Sequence, residues 1–325
     1  METKEPRWTL EQIVRISRSF MECRVLLTGA ELDLFTLCAK EPLSAQQIAE
    51  HLGADLRALT VLLDALAAMD LLVKQDGRYQ TEPSAAAILD STSLASILPV
   101  ILHNVNLWTN WSRLTKKIVD NPVTEWSMPA FIRTMHIGAS FLAPQIIAQI
   151  NPGNAQRLID VGGGSGTYTI AFLQASPDMR ATLFDLPPVI EMAREMVGKA
   201  GLTDRVTLMP GDFHKDPLPG GHDLAFVSAI IHQNSPEENL AMFRNIFTAL
   251  DPGGRIVVRD HIMNPERTRP RGGAFFAVNM LVATKGGGTY TEEEVSGALR
   301  EAGFERMKLI NPDKRMDGLI EAFKP

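Results

Sequence analysis

The sequence predicts an α/β chain in two parts: a mostly helical N-terminal unit, then a larger unit built on a mostly parallel sheet with helices on both faces. Three observations predict it. The chain has 325 residues, about twice the length at which one compact domain is the first expectation. Apolar residues recur at helical spacing through the first part, and from Arg157 onward short β-branched runs alternate with helical stretches. Hydrophobic residues make up 45% and charged residues 22%, the usage of ordinary globular proteins, so a sizeable packed core is expected.

The elements follow in order. Ile13, Ile16, Phe20, Val25 and Leu26, then Leu32, Leu34, Phe35 and Leu37, predict two amphipathic helices over 10–40. Ser44 and Gln47 have the spacing of a capping box, and the helix they open ends on Gly53, suited to the left-handed conformation at a helix C-terminus. A longer helix is expected over 56–72, and Asp76-Gly77 between β-capable runs signals a hairpin over 73–81. Helix, turn, helix and hairpin together describe a winged helix.

A winged helix raises the question of DNA. Its second helix carries Asp55, Asp64 and Asp70 against Arg57 alone, and LTVLLDALAAMDLL is patterned to bury apolar surface, so packing or dimerisation is the expectation. Over the whole chain 38 acidic residues face 32 basic ones, a net charge of -6, and no basic run offers a footprint for phosphates or anionic lipid. Neither nucleic acid nor a membrane is an expected partner. The opening METKEPRWTLEQIVRISRSF mixes charges among its apolar positions, unlike a signal peptide, and no segment has the length and apolarity of a bilayer span. Cys23 and Cys38 are too far apart for Cys-x-x-Cys chemistry and read as reduced thiols of a cytoplasmic protein.

Residues 99–150 are again helical, carry aromatics, and read as a bridge between the units. Seven strands are expected beyond it, over 157–161, 180–184, 205–209, 223–228, 255–259, 305–310 and 318–323. The segment 250–254, Leu-Asp-Pro-Gly-Gly, reads as a turn before the fifth.

Asp160-Val161-Gly162-Gly163-Gly164-Ser165-Gly166 follows the first strand and opens a helix. Counting Gly-x-Gly-x-x-Gly from Gly162 or Gly164 puts Thr167 or Thr169 at the third place, which weakens a dinucleotide reading. Glycines so spaced after an acid suit a ligand that presents an amino-acid moiety rather than a pyrophosphate. Asp185 ends the second strand, where a carboxylate can accept both hydroxyls of a ribose, and Asp212 follows the third beside Phe213, where acid and ring suit an adenine. Any one of these acids could be a helix cap. Three at successive strand ends converge on the carboxyl edge of the sheet, where ligands bind in this architecture.

Nearly the whole chain resembles the S-adenosylmethionine-dependent methyltransferases of the Rossmann-like class I fold, with its seven-stranded, mostly parallel sheet. More narrowly, it is similar to the small-molecule O-methyltransferases typified by the caffeic acid and acetylserotonin enzymes, whose N-terminal winged-helix domain dimerises. The resemblance is carried by LIDVGGGSGTYTIAFL, FDLPPVI at Asp185, GDF at Asp212, IIHQNSPEE at His232 and the closing GGGTYTEEEVSGALREAGF. It implies S-adenosylmethionine as cofactor, with the methionine end at Asp160, Gly162 and Gly164, the ribose at Asp185 and Leu186, and the adenine at Gly211, Asp212 and Phe213. Ser228 falls where many relatives place a lysine near the cofactor.

His232 follows the fourth strand, and Ser235-Pro236-Glu237-Glu238 at once begins a helix with a capping box and proline at the first position. The resemblance makes His232 the general base. A phenol of pKa near 10 is ionised about one part in a thousand at pH 7, a deficit of about 4 kcal/mol that an imidazole can meet by taking the proton as the methyl is transferred. The residue after the base, usually Asp in relatives, is Gln233, and of two acidic partners expected for the imidazole one matches Asp260 and the other falls on Thr289. Asp260 either fixes the tautomer of His232 or simply ends the fifth strand. A weaker base, or an acceptor more acidic than a simple phenol, follows.

His103, His136 and His261 lack a His-x-x-x-His or paired-carboxylate spacing, so no metal is expected. The acceptor pocket should be apolar, drawn from Trp108, Trp111, Met135, Phe141, Phe275, Phe276, Asn279 and Met280, among which the resemblance favours Met135, Asn279 and Met280. The expected division is a dimerisation domain over 1–100, a bridge over 101–150 that helps line the substrate pocket, and a cofactor-binding catalytic domain over 151–325. The function so read is a homodimeric, metal-independent O-methyltransferase acting on an aromatic or polyketide-like hydroxyl. Methylation at carbon or nitrogen, a repurposed relative with another reaction, and a cofactor-sensing winged-helix regulator are the alternatives.

Overall fold

The computed structural model describes residues 8–120 and 128–325; the first seven residues and 121–127 of the expected bridge lie outside the described residues. Packing divides the chain into two units, Met1–Val123 and Thr124–Pro325. The first comprises α1 (Leu10–Glu31), α2 (Leu34–Lys40), β1 (Leu43–Ser44), α3 (Ala45–Leu52), α4 (Leu56–Ala68), β2 (Leu72–Gln75), β3 (Arg78–Thr81), α5 (Pro83–Leu89), α6 (Leu98–Trp111) and α7 (Leu114–Ile118). The capping box of Ser44 and Gln47 is present, and Gly53 ends α3 in the left-handed conformation. Helix α4 is shorter than expected. It stops at Met69, and Leu72 is instead the first residue of the hairpin, whose turn is Asp76-Gly77.

The acids of α4 have local tasks. Asp55 caps the helix by accepting the N–H of Ala58. Asp64 is buried and accepts from the Lys74 ammonium at 2.6 Å and the Tyr79 hydroxyl at 2.7 Å, tying the hairpin to the helix. The charge argument against nucleic acid therefore loses Asp64, which faces inward and is neutralised. The outer side of α1 exposes Leu10, Ile13, Ile16 and Phe20.

The second unit comprises α8 (Met128–Ile150), β4 (Arg157–Val161), α9 (Thr167–Ala175), β5 (Arg180–Asp185), α10 (Pro187–Lys199), β6 (Val206–Pro210), β7 (His222–Ser228), α11 (Pro236–Ala249), β8 (Leu250–Asp260), β9 (Ile262–Met263), α12 (Arg271–Ala283), β10 (Tyr290–Thr291), α13 (Glu292–Glu301), β11 (Glu305–Asn311) and β12 (Gly318–Phe323). Seven strands form one sheet in the order β11-β12-β8-β7-β4-β5-β6, parallel from β8 to β6, with β12 antiparallel to both its neighbours. This is the seven-stranded, mostly parallel sheet that the resemblance implies. The turn expected at 250–254 is part of β8, whose pairing with β7 shifts register there.

Both faces of the sheet are packed, which explains the nearly continuous apolar runs of its central strands. One core gathers Val161, Val227, Val258, Phe243 and Leu299. The opposite core gathers Ile146 and Ile147 of α8, Phe172 of α9, and Phe226, Val257 and Leu319 of the sheet. Phe226 is fully buried, edge-on to Phe172 at 5.2 Å and 5.3 Å from Tyr168. Truncating it removes a ring from the centre of this core. Phe226→Ala should lower the stability of the unit by about 3–5 kcal/mol in urea unfolding, and Phe226→Leu by much less, because a cavity term adds to the lost transfer energy.

Candidate active site

The loop after β4 carries three left-handed glycines, Gly162 at φ 70°, Gly164 at φ 57° and Gly166 at φ 79°. At Gly162 a Cβ would also collide with Ile230, so the loop tolerates no side chain there. At Gly164 a Cβ would meet nothing, and the loop presents bare backbone to open space. The loop is tied to the next strand by its own N–H groups. Gly162 donates to the carbonyl of Phe184 at 2.8 Å, and Gly164 to Asp185 Oδ2 at 2.8 Å, while Leu186 N–H meets Asp185 Oδ1 at 2.7 Å.

Asp160 lies beneath this loop, fully buried, and accepts from the Thr169 hydroxyl at 2.6 Å. Burial pushes its carboxyl up to about 7, with the nearby Asp185 adding to the rise and the Thr169 bond opposing it. Burial also raises the Asp185 carboxyl, against the two N–H groups that favour its charge. Burial thus makes ionisation of both acids uphill, and a ligand carrying a sulfonium and an ammonium would favour their charged forms. Bare loop backbone and an acidic surround therefore fit S-adenosylmethionine.

The ring edge of Phe213 lies 3.7 Å from the place a Cβ on Gly162 would take, which brings Phe213 to the loop. Gly211 N–H donates to the Asp185 carbonyl, and the Phe184 ring fills the space its missing side chain leaves. Asp212 caps a local turn, accepting from His214 N–H at 3.0 Å and the Lys215 ammonium at 2.8 Å. Those bonds, that of Lys215 first, hold its carboxyl below the usual range. Leu186 stands exposed at the end of β5.

On the other side of β4, β7 ends at Ser228, and Ala229 takes a left-handed turn at φ 57°, unusual for alanine. That turn leads to His232, whose position is fixed from below by the capped start of α11 and from above by Gly288 N–H, which donates to the His232 carbonyl at 2.8 Å. Its Nδ1 lies 2.9 Å from both carboxylate oxygens of Asp260. The side chains are 12% and 1% exposed. His261 N–H adds a third bond to Asp260 Oδ1 at 2.7 Å. Burial alone would raise the Asp260 carboxyl, but the charge and hydrogen bond of His232 outweigh it and hold it below the ordinary range. Nε2 of His232 has no hydrogen-bond partner among the described residues. Thr289 is buried, and its carbonyl accepts from Arg267.

Around His232 the ring of Phe276 stands edge-on at 4.7 Å. Met280 is buried and Asn279 half-buried on the same helix, α12. On α8, Met135 is 47% and Phe141 68% exposed, and His136 Nδ1 meets the hydroxyls of Ser165 and Thr167 at the end of the glycine loop. Trp108 belongs to the first unit, against Phe20 and Arg24. No group of three metal-ligating side chains occurs among the described residues.

Sequence reasoning passed over two features. His261 forms a second buried imidazole–carboxylate pair, Nδ1 to Asp313 at 2.6 Å, and Arg259 is a buried guanidinium bonded to Ser228. The signal was the run Arg259-Asp260-His261, three polar residues ending an apolar strand.

Comparison with known proteins agrees with this geometry. The family model described as O-methyltransferase domain matches residues 123–305, and that of the O-methyltransferase dimerisation domain residues 14–91. The 3-hydroxy-5-methyl-1-naphthoate 3-O-methyltransferase of Streptomyces sahachiroi is 29% identical over 310 residues, covering 91% of this chain and 89% of that one. The L-tyrosine C(3)-methyltransferase of Streptomyces lavendulae is 29% identical over 306 residues, covering 86% and 82%. An O-methyltransferase family 2 protein of Planctomyces limnophilus, solved in complex with apigenin, superposes with a TM-score of 0.82 at 26% identity, over 98% of this chain and 97% of that one. The chain belongs to the S-adenosylmethionine-dependent O-methyltransferase family.

Proposed function

We propose that the protein is a homodimeric, metal-independent methyltransferase that moves a methyl to a hydroxyl of an aromatic or polyketide-like small molecule, with His232 as general base. The observation that carries this is the imidazole of His232, clamped at Nδ1 by Asp260 and without a partner at Nε2 among the described residues. Asp260, ionised and buried, requires a proton on Nδ1, which leaves Nε2 as the acceptor. That nitrogen takes the proton of the acceptor hydroxyl, and the resulting imidazolium is stabilised by the same carboxylate. When bound, S-adenosylmethionine supplies a methyl on a sulfonium, activated for in-line displacement. Gly162, Gly164, Asp160 and Asp185 would hold its amino-acid and ribose parts, with Leu186, Gly211, Asp212 and Phe213 about the adenine. Phe276 of α12 lies beside the base, and Asn279 and Met280 on the same helix would face the acceptor, with Met135 and Phe141 of α8.

The matched dimerisation domain and the exposed apolar side of α1 support a homodimer formed through residues 1–100, with 101–150 as the bridge and 151–325 as the catalytic part. The net charge of -6 supports a small-molecule role without nucleic acid. No described helix is long and apolar enough to cross a membrane, and the reading places the protein in the cytoplasm.

A second reading is methylation at ring carbon, motivated by the relative named for C(3) methylation and by the exposed Gln233 after the base. The same proton transfer serves it, since a phenolate is nucleophilic at its ortho carbon as well as at oxygen. The position of the methyl in the product separates the two.

His232→Ala should lower methyl transfer by about 10²–10⁴-fold while leaving S-adenosylhomocysteine affinity unchanged; a rate equal to wild type with the true acceptor would sink the base assignment. Asp260→Asn should lower kcat on the order of 10²-fold or more. Asp160 yields a prediction in pH. Its folded carboxyl, at about 7, keeps a proton that the unfolded chain releases near pH 4, so its contribution to stability is full below about pH 4 and lost as pH rises through about 7. Urea unfolding of the ligand-free protein at pH 5 and pH 8 should show this decline in wild type and a flatter profile in Asp160→Asn.

A further inference from the structure

Arg259 is 5% exposed at the end of β8. Its Nη1 donates to Ser228 Oγ at 3.1 Å, its Nε has no hydrogen-bond partner, and it forms no ion pair with a carboxylate of the described residues. Beside it stands Tyr168, 5.2 Å from the guanidinium carbon to the ring centroid, on the first turn of α9. The Tyr168 hydroxyl is also buried and unpartnered; it points toward Ser228 without a hydrogen bond of normal geometry. Three side chains thus bring donors together, two of them with donors left unmet. A buried guanidinium without a counter-charge is strongly disfavoured, so this arrangement calls for an anion.

The place of the cluster indicates which one. Ser228 closes β7 four residues before His232, and Tyr168 follows the last glycine of the loop by two, so the cluster lies at the carboxyl edge between the glycine loop and the candidate base. The acids Asp160 and Asp185 suit the cationic and hydroxyl-bearing parts of the cofactor and would repel its one anionic group. That group needs a cation from elsewhere on the edge. We propose that Arg259, oriented by Ser228 and assisted by Tyr168, is the subsite for the α-carboxylate of the amino-acid end of S-adenosylmethionine. A guanidinium fork and a carboxylate pair through charge-assisted hydrogen bonds, among the stronger polar contacts available in a buried site. The inference rests on membership of the family and on no assignment of the base.

The test is calorimetric binding of two ligands, S-adenosylhomocysteine and its decarboxylated analogue, which keeps the amine and the nucleoside. Wild type should prefer the carboxylate-bearing ligand roughly 10- to 100-fold. Arg259→Met should bind it correspondingly more weakly, bind the analogue as wild type does, and so discriminate by no more than about threefold. Discrimination kept at the wild-type level, or affinity lost equally for both ligands, would overturn the proposal. If Arg259→Met does not fold, Arg259→Gln, which keeps a donor for Ser228 without the charge, is held to the same outcomes. Equal binding of the two ligands by wild type would overturn it without any variant. Activity of His232→Ala bears on the base alone and leaves this measurement untouched.

Discussion

Parallel pairing from β8 to β6 is the constraint on which the site depends. Strands that run the same way end on the same edge, and their ladders continue one step past each strand: Gly162 N–H to the Phe184 carbonyl, Gly211 N–H to Asp185, Ala229 N–H to Arg259. Each functional loop therefore leaves the sheet from a position set by its neighbour. The pairs Val161 with Val227 and Val227 with Val258 share one face, so the residues just beyond them, Gly162, Ser228 and Arg259, enter the site in register. A slip of one residue would turn Arg259 and Val258 to opposite faces and exchange a charge for a core side chain.

The edge so built is electrically divided. On the β4–β5 side stand two carboxylates whose ionisation burial opposes; on the β7–β8 side stand a guanidinium and two imidazole–carboxylate pairs. Such a surface is matched to a ligand with separated charges rather than to a simple anion. Arg259 and Tyr168 are held in place by the core beneath, since Tyr168 packs on Phe226, two residues before Ser228 on the same strand. Core packing and the proposed carboxylate subsite thus draw on alternate positions of β7, Phe226 and Ser228.

What was legible in the sequence follows from the range of the interactions involved. Strand boundaries fell within a residue or two of expectation, except where β8 begins, because each central strand is an apolar run bounded by turns. His232 and Asp260 were singled out through the family resemblance, and a capping box and a strand end fix where each stands locally. Arg259 to Ser228, and His261 to Asp313, join residues 31 and 52 positions apart, and only sheet register and the return of β12 bring them together. Asp64 shows the opposite failure: read as a surface charge, it is a buried acceptor whose partners, Lys74 and Tyr79, arrive only when the hairpin folds back.

The loss of a carboxylate at Thr289 can be weighed on the same grounds. Both oxygens of Asp260 already address Nδ1 of His232, and His261 N–H fixes one of them, so the inner nitrogen of the imidazole has no bond left to offer a second acid. One residue along, Asp313 is a further carboxylate with no exposed side-chain surface, compensated by His261. A third buried negative charge here would need its own cation, and Arg267, whose guanidinium meets the Thr289 carbonyl, is already paired with Glu294. A neutral residue at 289 leaves the imidazole oriented by a single carboxylate. The orientation of His232 is then set by Asp260 together with the ring edge of Phe276, so one acid suffices to hold it.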